Sequence, residues 1–187
     1  MKKLSEATLS RRNFMGLLPG MLAGTSMLAA PHLLSLRQQK EPSLKEELTP
    51  EELQNVEKSV MAKDLANYFG KDYSCAESLL MVSLRYLKKP EELVWFAAGF
   101  GGGIYHKDLC GFLTSGIMAI GLSSGMLDMA RKEAKNRCRD LVKEYWKWWR
   151  TVAPLHCAEI RKDGTSSKVC SRLGRLAAAK TEELLKT

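Results

Sequence analysis

"GFGGGIYHKDLCG", residues 99–111, decides which fold class the chain can have. Four of its first five residues are glycine, and a histidine and a cysteine follow. A nucleotide cradle here would require a preceding strand and an α/β fold. The dinucleotide spacing fails, because after Gly99 and Gly101 the third glycine should fall where Ile104 stands. No Gly-Lys-Ser/Thr closes the stretch, so it is not a P-loop either. What the glycines can do is let the chain turn sharply between two helices and approach other backbone closely.

Outward from this loop nearly every segment signals helix. "LTPEEL" (48–53) holds a capping box with Thr49 as N-cap, Pro50 at N1 and Glu52 at N3, and Leu48 and Leu53 are placed to staple it. That helix is expected to run to Phe69 and stop at Gly70. A second box, Ser74 with Glu77, opens the next helix and puts Cys75 in its first turn. A third helix starts at Pro90 and ends in the glycine loop. A fourth, apolar one begins near Asp108 and carries Cys110 in its first turn. The longest covers 127–152, with an apolar stripe of Leu127, Ala130, Ala134, Cys138, Leu141, Tyr145 and Trp148. Within it, "YWKWW" (145–149) puts Tyr145, Trp148 and Trp149 on one face, which reads as core packing. Two further helices are expected at 154–160 and 167–185. No alternating strand pattern occurs, so the expectation is an all-α protein, a compact bundle of six or seven helices.

The 187 residues suffice for one well-buried domain. Residues 1–30 stand apart from it. "LSRRNFM" (9–15) sets Arg11-Arg12 before a short, Gly/Pro-interrupted apolar run that makes a poor membrane span. It resembles a bacterial twin-arginine translocation signal, with Ala29-Ala30 as the best cleavage site; the signal is either cut or left as an anchor. Residues 31–48 read as a polar spacer, and 49–187 as the helical domain. The net charge of +8 includes Lys2, Lys3, Arg11 and Arg12 against Glu6, so +5 remains beyond residue 30. Those charges are interspersed with acids rather than gathered in a stripe, so nucleic acid is not an expected partner.

Five cysteines remain to be sorted: Cys75, Cys110, Cys138, Cys157 and Cys170. The absence of any C-x-x-C excludes c-type haem attachment and the thioredoxin motif. Cys138 lies on the apolar stripe, where a free cysteine behaves as a small hydrophobe. The other four fall at or near helix starts, Cys170 at N3 behind Ser167 as N-cap. Partial positive charge at helix N-termini favours thiolates. A metal site and two disulfides both remain open from position alone. His106 and His156 stand close to Cys110 and Cys157, which would allow a mixed Cys/His site. A Cys–His hydrolase finds no orienting third group in the spacing.

Taken together, Cys75 in "YSCAESLL", the loop "AAGFGGGIYHKDLCGFLTSGIMAIGL", Cys157 in "HCAEI" and Cys170 in "VCSRLGRLAAAKTEELL" resemble the C-GCAxxG-C-C family of redox-active proteins over residues 62–185. The resemblance implies a functional quartet of Cys75, Cys110, Cys157 and Cys170, with Cys138 outside it. The chain departs from the pattern at Phe112, where alanine is wanted, and at Ser115, where glycine is. It departs again at Leu109, usually glycine, while Gly111 is kept and Gly116 falls one place late.

The resulting expectation is an exported electron-transfer protein rather than an enzyme. It would carry an iron–sulfur cluster, 2Fe–2S by preference, on the four cysteines, with Gly101, Gly102, Gly103 and Gly111 forming a collar around it. Its partners would be a membrane or periplasmic oxidoreductase and the twin-arginine translocase, with a cluster-sharing homodimer conceivable. The alternatives are a periplasmic thiol–disulfide protein, or a zinc or copper carrier using the same cysteines.

Overall fold

The computed structural model describes residue 42, residues 44–162 and residues 167–187. The chain divides into two units, Met1–Gln39 and Lys40–Thr187. The twin-arginine segment and most of the spacer lie outside the described residues, and every described helix belongs to the second unit.

Among the described residues there is no strand, only two isolated bridges. Seven α-helices appear: α1 (Pro50–Lys58), α2 (Val60–Asp64), α3 (Cys75–Tyr86), α4 (Gly111–Gly125), α5 (Arg131–Val152), α6 (Cys157–Ile160) and α7 (Ser167–Leu185). Three-residue-per-turn helix continues α2 through Leu65–Asn67 and forms the whole of Glu91–Phe100. The fold is all-α. Both capping boxes form as the sequence requires, Thr49 with Glu52 and Ser74 with Glu77.

The first helix is not continuous to Phe69. It breaks at Ser59, whose backbone is extended and whose hydroxyl accepts from the Ala62 amide at 3.0 Å to cap α2. Glu182 from α7 holds the break: it accepts from the Ser59 hydroxyl at 2.6 Å and from the Met61 amide at 2.9 Å. A serine that can cap competes with helix continuation, and a buried carboxylate brought by another helix tips the balance. The long helix also starts later than its stripe suggests, at Arg131. Leu127 and Ala130 therefore precede it.

Helices α3 and α4 pair, α7 crosses both as well as α2, and α5 covers α4. Helix α4 is apolar on nearly all sides because it is the central element. The core between them holds Leu79, Leu113, Ile120, Tyr145, Trp149 and Leu173. The YWKWW aromatics are core residues: the Tyr145 hydroxyl donates to Phe112 O at 3.1 Å and the Trp149 indole to Pro154 O at 2.9 Å. The departures from the family pattern have packing partners. Phe112 occupies the space that Gly174 leaves, since a Cβ on Gly174 would lie 2.6 Å from the Phe112 ring tip. Ser115 turns its hydroxyl back onto Gly111 O at 2.7 Å, and Gly116 seats the Tyr145 ring.

Candidate metal centre

Each cysteine of the quartet is delivered by the beginning of a helix. Cys75 is the first residue of α3, Cys110 is the residue that caps α4, and Cys157 is the first residue of α6. Cys170 is the fourth residue of α7; Ser167 is the first helical residue, not the cap, so Cys170 sits one place further in. The Cys110 and Cys157 segments are tied directly. Leu109 and His156 form an antiparallel bridge, the Cys110 amide donates to Leu155 O at 2.9 Å, and the Cys157 amide donates to Asp108 O at 2.7 Å.

The glycines allow these segments to close on one another. Gly103 has φ of +71°, and a Cβ there would lie 2.5 Å from Asp108 O and 2.8 Å from the Cys157 Cβ. A Cβ on Gly111 would lie 2.5 Å from the Cys75 sulfur. Gly101 abuts Ser74, and Gly102 contributes to the wall of the cavity that the cysteines share. The chain runs left-handed from Gly102 through Tyr105, with Ile104 at φ +56° and Tyr105 at +55°. This turn redirects the backbone between Glu91–Phe100 and α4, where the sequence suggested only a glycine hinge.

Cys75, Cys110, Cys157 and Cys170 all line a single cavity of about 590 Å³, with Phe69, Phe112 and Arg161 among its other walls. Cys138 lines a different, smaller cavity at the C-terminal end of α4, beside Gly121 and Ser124. All five are free thiols. Cys110 and Cys157 are buried, while Cys75 and Cys170 are half-buried.

At Cys110, Cys157 and Cys170 the position near a helix start does not leave the thiol acidic. Burial pushes the Cys110 thiol far up, and the neighbouring Cys75 adds to the rise, although the Phe112 and Leu113 amides pull the other way. Cys157 is raised by burial and by Cys75, against the opposing charges of Arg161 and Lys107. Cys170 is likewise raised, by burial first, with Arg161 opposing and Cys75 and Cys157 reinforcing. At Cys110 the amides at the start of α4 do lower the thiol, but they lose to desolvation. The mutual influence of the thiols is a consequence of their convergence.

Neither histidine lines the cavity. His106 is exposed in the left-handed turn, and His156 turns outward to place Nδ1 at 2.8 Å from Asp108 Oδ1. Among the described residues no three His, Cys, Asp or Glu side chains lie close enough to hold a single metal ion. A lone tetrahedral ion needs every sulfur about 2.3 Å from one point. Four thiols around one cavity are the donor set that a metal–sulfur group would need. Sequence reasoning passed over Arg161 and Asp108. Arg161 lies one helical turn beyond Cys157, a spacing that could have drawn notice; Asp108 meets His156 across 48 positions and left no local signal.

The profile of the C_GCAxxG_C_C family, described as "Putative redox-active protein", matches residues 73–184. The chain belongs to this family. The C_GCAxxG_C_C match takes in the whole quartet, the left-handed turn and α3 to α7. No curated protein and no solved structure matches the chain.

Proposed function

We propose that this chain is an exported electron-transfer protein that holds an iron–sulfur cluster of 2Fe–2S type on Cys75, Cys110, Cys157 and Cys170. It would exchange single electrons with a membrane or periplasmic oxidoreductase. The observation that carries the reading is the convergence of these four cysteines, from four separate helix starts, on one cavity. When bound, the cluster supplies a one-electron couple.

The chain's own residues do the rest. The raised thiols stay protonated at neutral pH, so ligation must displace a proton from each and loading would release protons. Gly103 and Gly111 admit the Cys157 and Cys75 segments, and the Phe112 and Leu113 amides offer hydrogen bonds to the Cys110 sulfur. Because all four ligands line a cavity within one chain, the cluster needs no second copy. The twin-arginine resemblance supports export in the folded, loaded state, to the periplasm or the outer face of the cytoplasmic membrane. Among the described residues no helix is long and apolar enough to cross a membrane.

Absorption spectra with iron and sulfide analysis of full-length, anaerobically purified protein test the reading. Brown protein with about two irons per chain is expected. Colourless, iron-free protein whose four cysteines are paired would refute it, and mass spectrometry before and after reduction reads that pairing. Zinc or copper in place of iron would convert the protein into a metal carrier.

A further inference from the structure

We infer that Asp108 and His156 form a clasp that holds Cys157 against Cys110, which makes both of them positioning residues of the four-cysteine site. The inference rests on the iron–sulfur reading where it concerns metal retention, but not where it concerns the metal-free chain.

The two cysteines start from unequal footings. Cys110 caps the fifteen-residue α4 and belongs to the core. Cys157 opens α6, which is four residues long, and one helical turn does not hold itself together in water. Ile160 anchors the far end of α6 in the core. The near end, which carries Cys157, is held by the segment just before Cys110.

Asp108 supplies three ties at this junction. Its amide donates to Gly103 O at 2.9 Å, which fixes it to the left-handed turn. Its carbonyl accepts from the Cys157 amide at 2.7 Å. Its side chain meets the His156 ring, Nδ1 to Oδ1 at 2.8 Å. A carboxylate only accepts, so Nδ1 is the ring nitrogen that carries the proton. A fourth tie, from the Cys110 amide to Leu155 O at 2.9 Å, closes the other side of the bridge. His156 is steadied from its own helix as well, because its amide donates to Glu159 Oε2 at 3.2 Å. The side-chain pair thus joins the residue two places before Cys110 to the residue just before Cys157, 48 positions apart in the chain. Its members are 57% and 48% exposed, and pairs that open to water add little to overall stability. The effect is therefore local: the clasp keeps two cysteine-bearing segments in register rather than holding up the fold.

The test compares Asp108→Ala, His156→Ala, the double variant and Asp108→Asn in the full chain. In metal-free, reduced protein, amide hydrogen exchange at Cys110 and Cys157 should quicken about two- to fivefold in D108A and H156A, the size expected for one exposed pair. Amides of the α3–α4 core should exchange at the wild-type rate. The double variant should exchange no faster than either single, because both lose the same bond. D108N keeps an acceptor for Nδ1 and should stay near wild type. If D108A does not fold, H156A alone reads the same loss. In loaded protein, an iron chelator should strip D108A and H156A several-fold faster than wild type or D108N. Unchanged exchange at the two cysteine amides overturns the inference, as do single effects that add in the double variant, or a D108N chain as loose as D108A. Exchange that quickens equally throughout the fold overturns it too, since the pair would then serve stability alone. Protein that never holds iron sinks the iron–sulfur reading, and exchange in the metal-free chain still decides the clasp.

Discussion

Gly111 decides how near Cys75 can come to the second cysteine. With a Cβ it would press on the Cys75 sulfur at 2.5 Å, and the Phe100 carbonyl 3.0 Å away leaves no room to retreat. Gly111→Ala should destabilise metal-free protein by about 1–3 kcal/mol in urea unfolding and cut the iron retained on purification. Ile104 makes the opposite prediction. A β-branched residue at φ +56° carries about 1–2 kcal/mol of left-handed strain, and its side chain is 40% exposed. Ile104→Gly relieves that strain at some cost in chain entropy, so unfolding should show a net gain of about 0.5–1 kcal/mol. A loss would mean that the exposed Ile104 side chain makes a contact worth more than the strain.

At the scale of elements, the junction of α1, α2 and α7 depends on one carboxylate. Burial raises Glu182, but Lys186 at 2.8 Å, the Ser59 hydroxyl and the Met61 amide together outweigh it, so its pKa lies below the usual carboxylate range. A depressed folded-state value means the stabilisation is present above the unfolded pKa, about 4.3, and is lost as pH falls through the folded value. Glu52, half-buried and held down by the Thr49 amide and Arg172, acts in the same direction. Glu182→Gln should therefore lower stability at neutral pH by about 1–3 kcal/mol and flatten the acid limb of a stability-versus-pH curve. The capping boxes at Thr49 and Ser74, and α7 to within one residue at its start, were legible in the sequence because caps and periodicity act within a turn or two. The break at Ser59 was not, since Glu182 lies 123 positions away.

At the scale of the fold, the cavity draws one cysteine from the start of each of α3, α4, α6 and α7. Of these α6 is a single turn, held to the Cys110 segment by a two-bond bridge. On the proposed iron–sulfur reading, removing iron should release this corner first. Hydrogen exchange should rise over residues 153–160 and at the start of α7, while the α3–α4 core keeps its protection. Loaded protein should melt roughly 5–10 °C above metal-free protein, as expected for a group that binds only the folded state. Serine at any of Cys75, Cys110, Cys157 or Cys170 should lower iron content, whereas Cys138→Ala should leave it at the wild-type level. Equal losses for Cys138→Ala would place a ligand outside the cavity.

What the sequence determined by itself was local or periodic: the all-α class, the helix starts that carry the cysteines, and the separation of Cys138, marked by its place on an apolar stripe. Such signals lie within a turn or two of backbone, where propensity, capping and spacing operate. Only the tertiary structure decided that the four cysteines share a cavity and that Arg161 joins them. It also decided that Asp108 turns His156 away, and that burial overrides the helix N-termini in setting thiol acidity. Each of these depends on residues far apart in the chain, or on solvent exclusion that exists only once the helices have packed. A turn's worth of sequence carries neither.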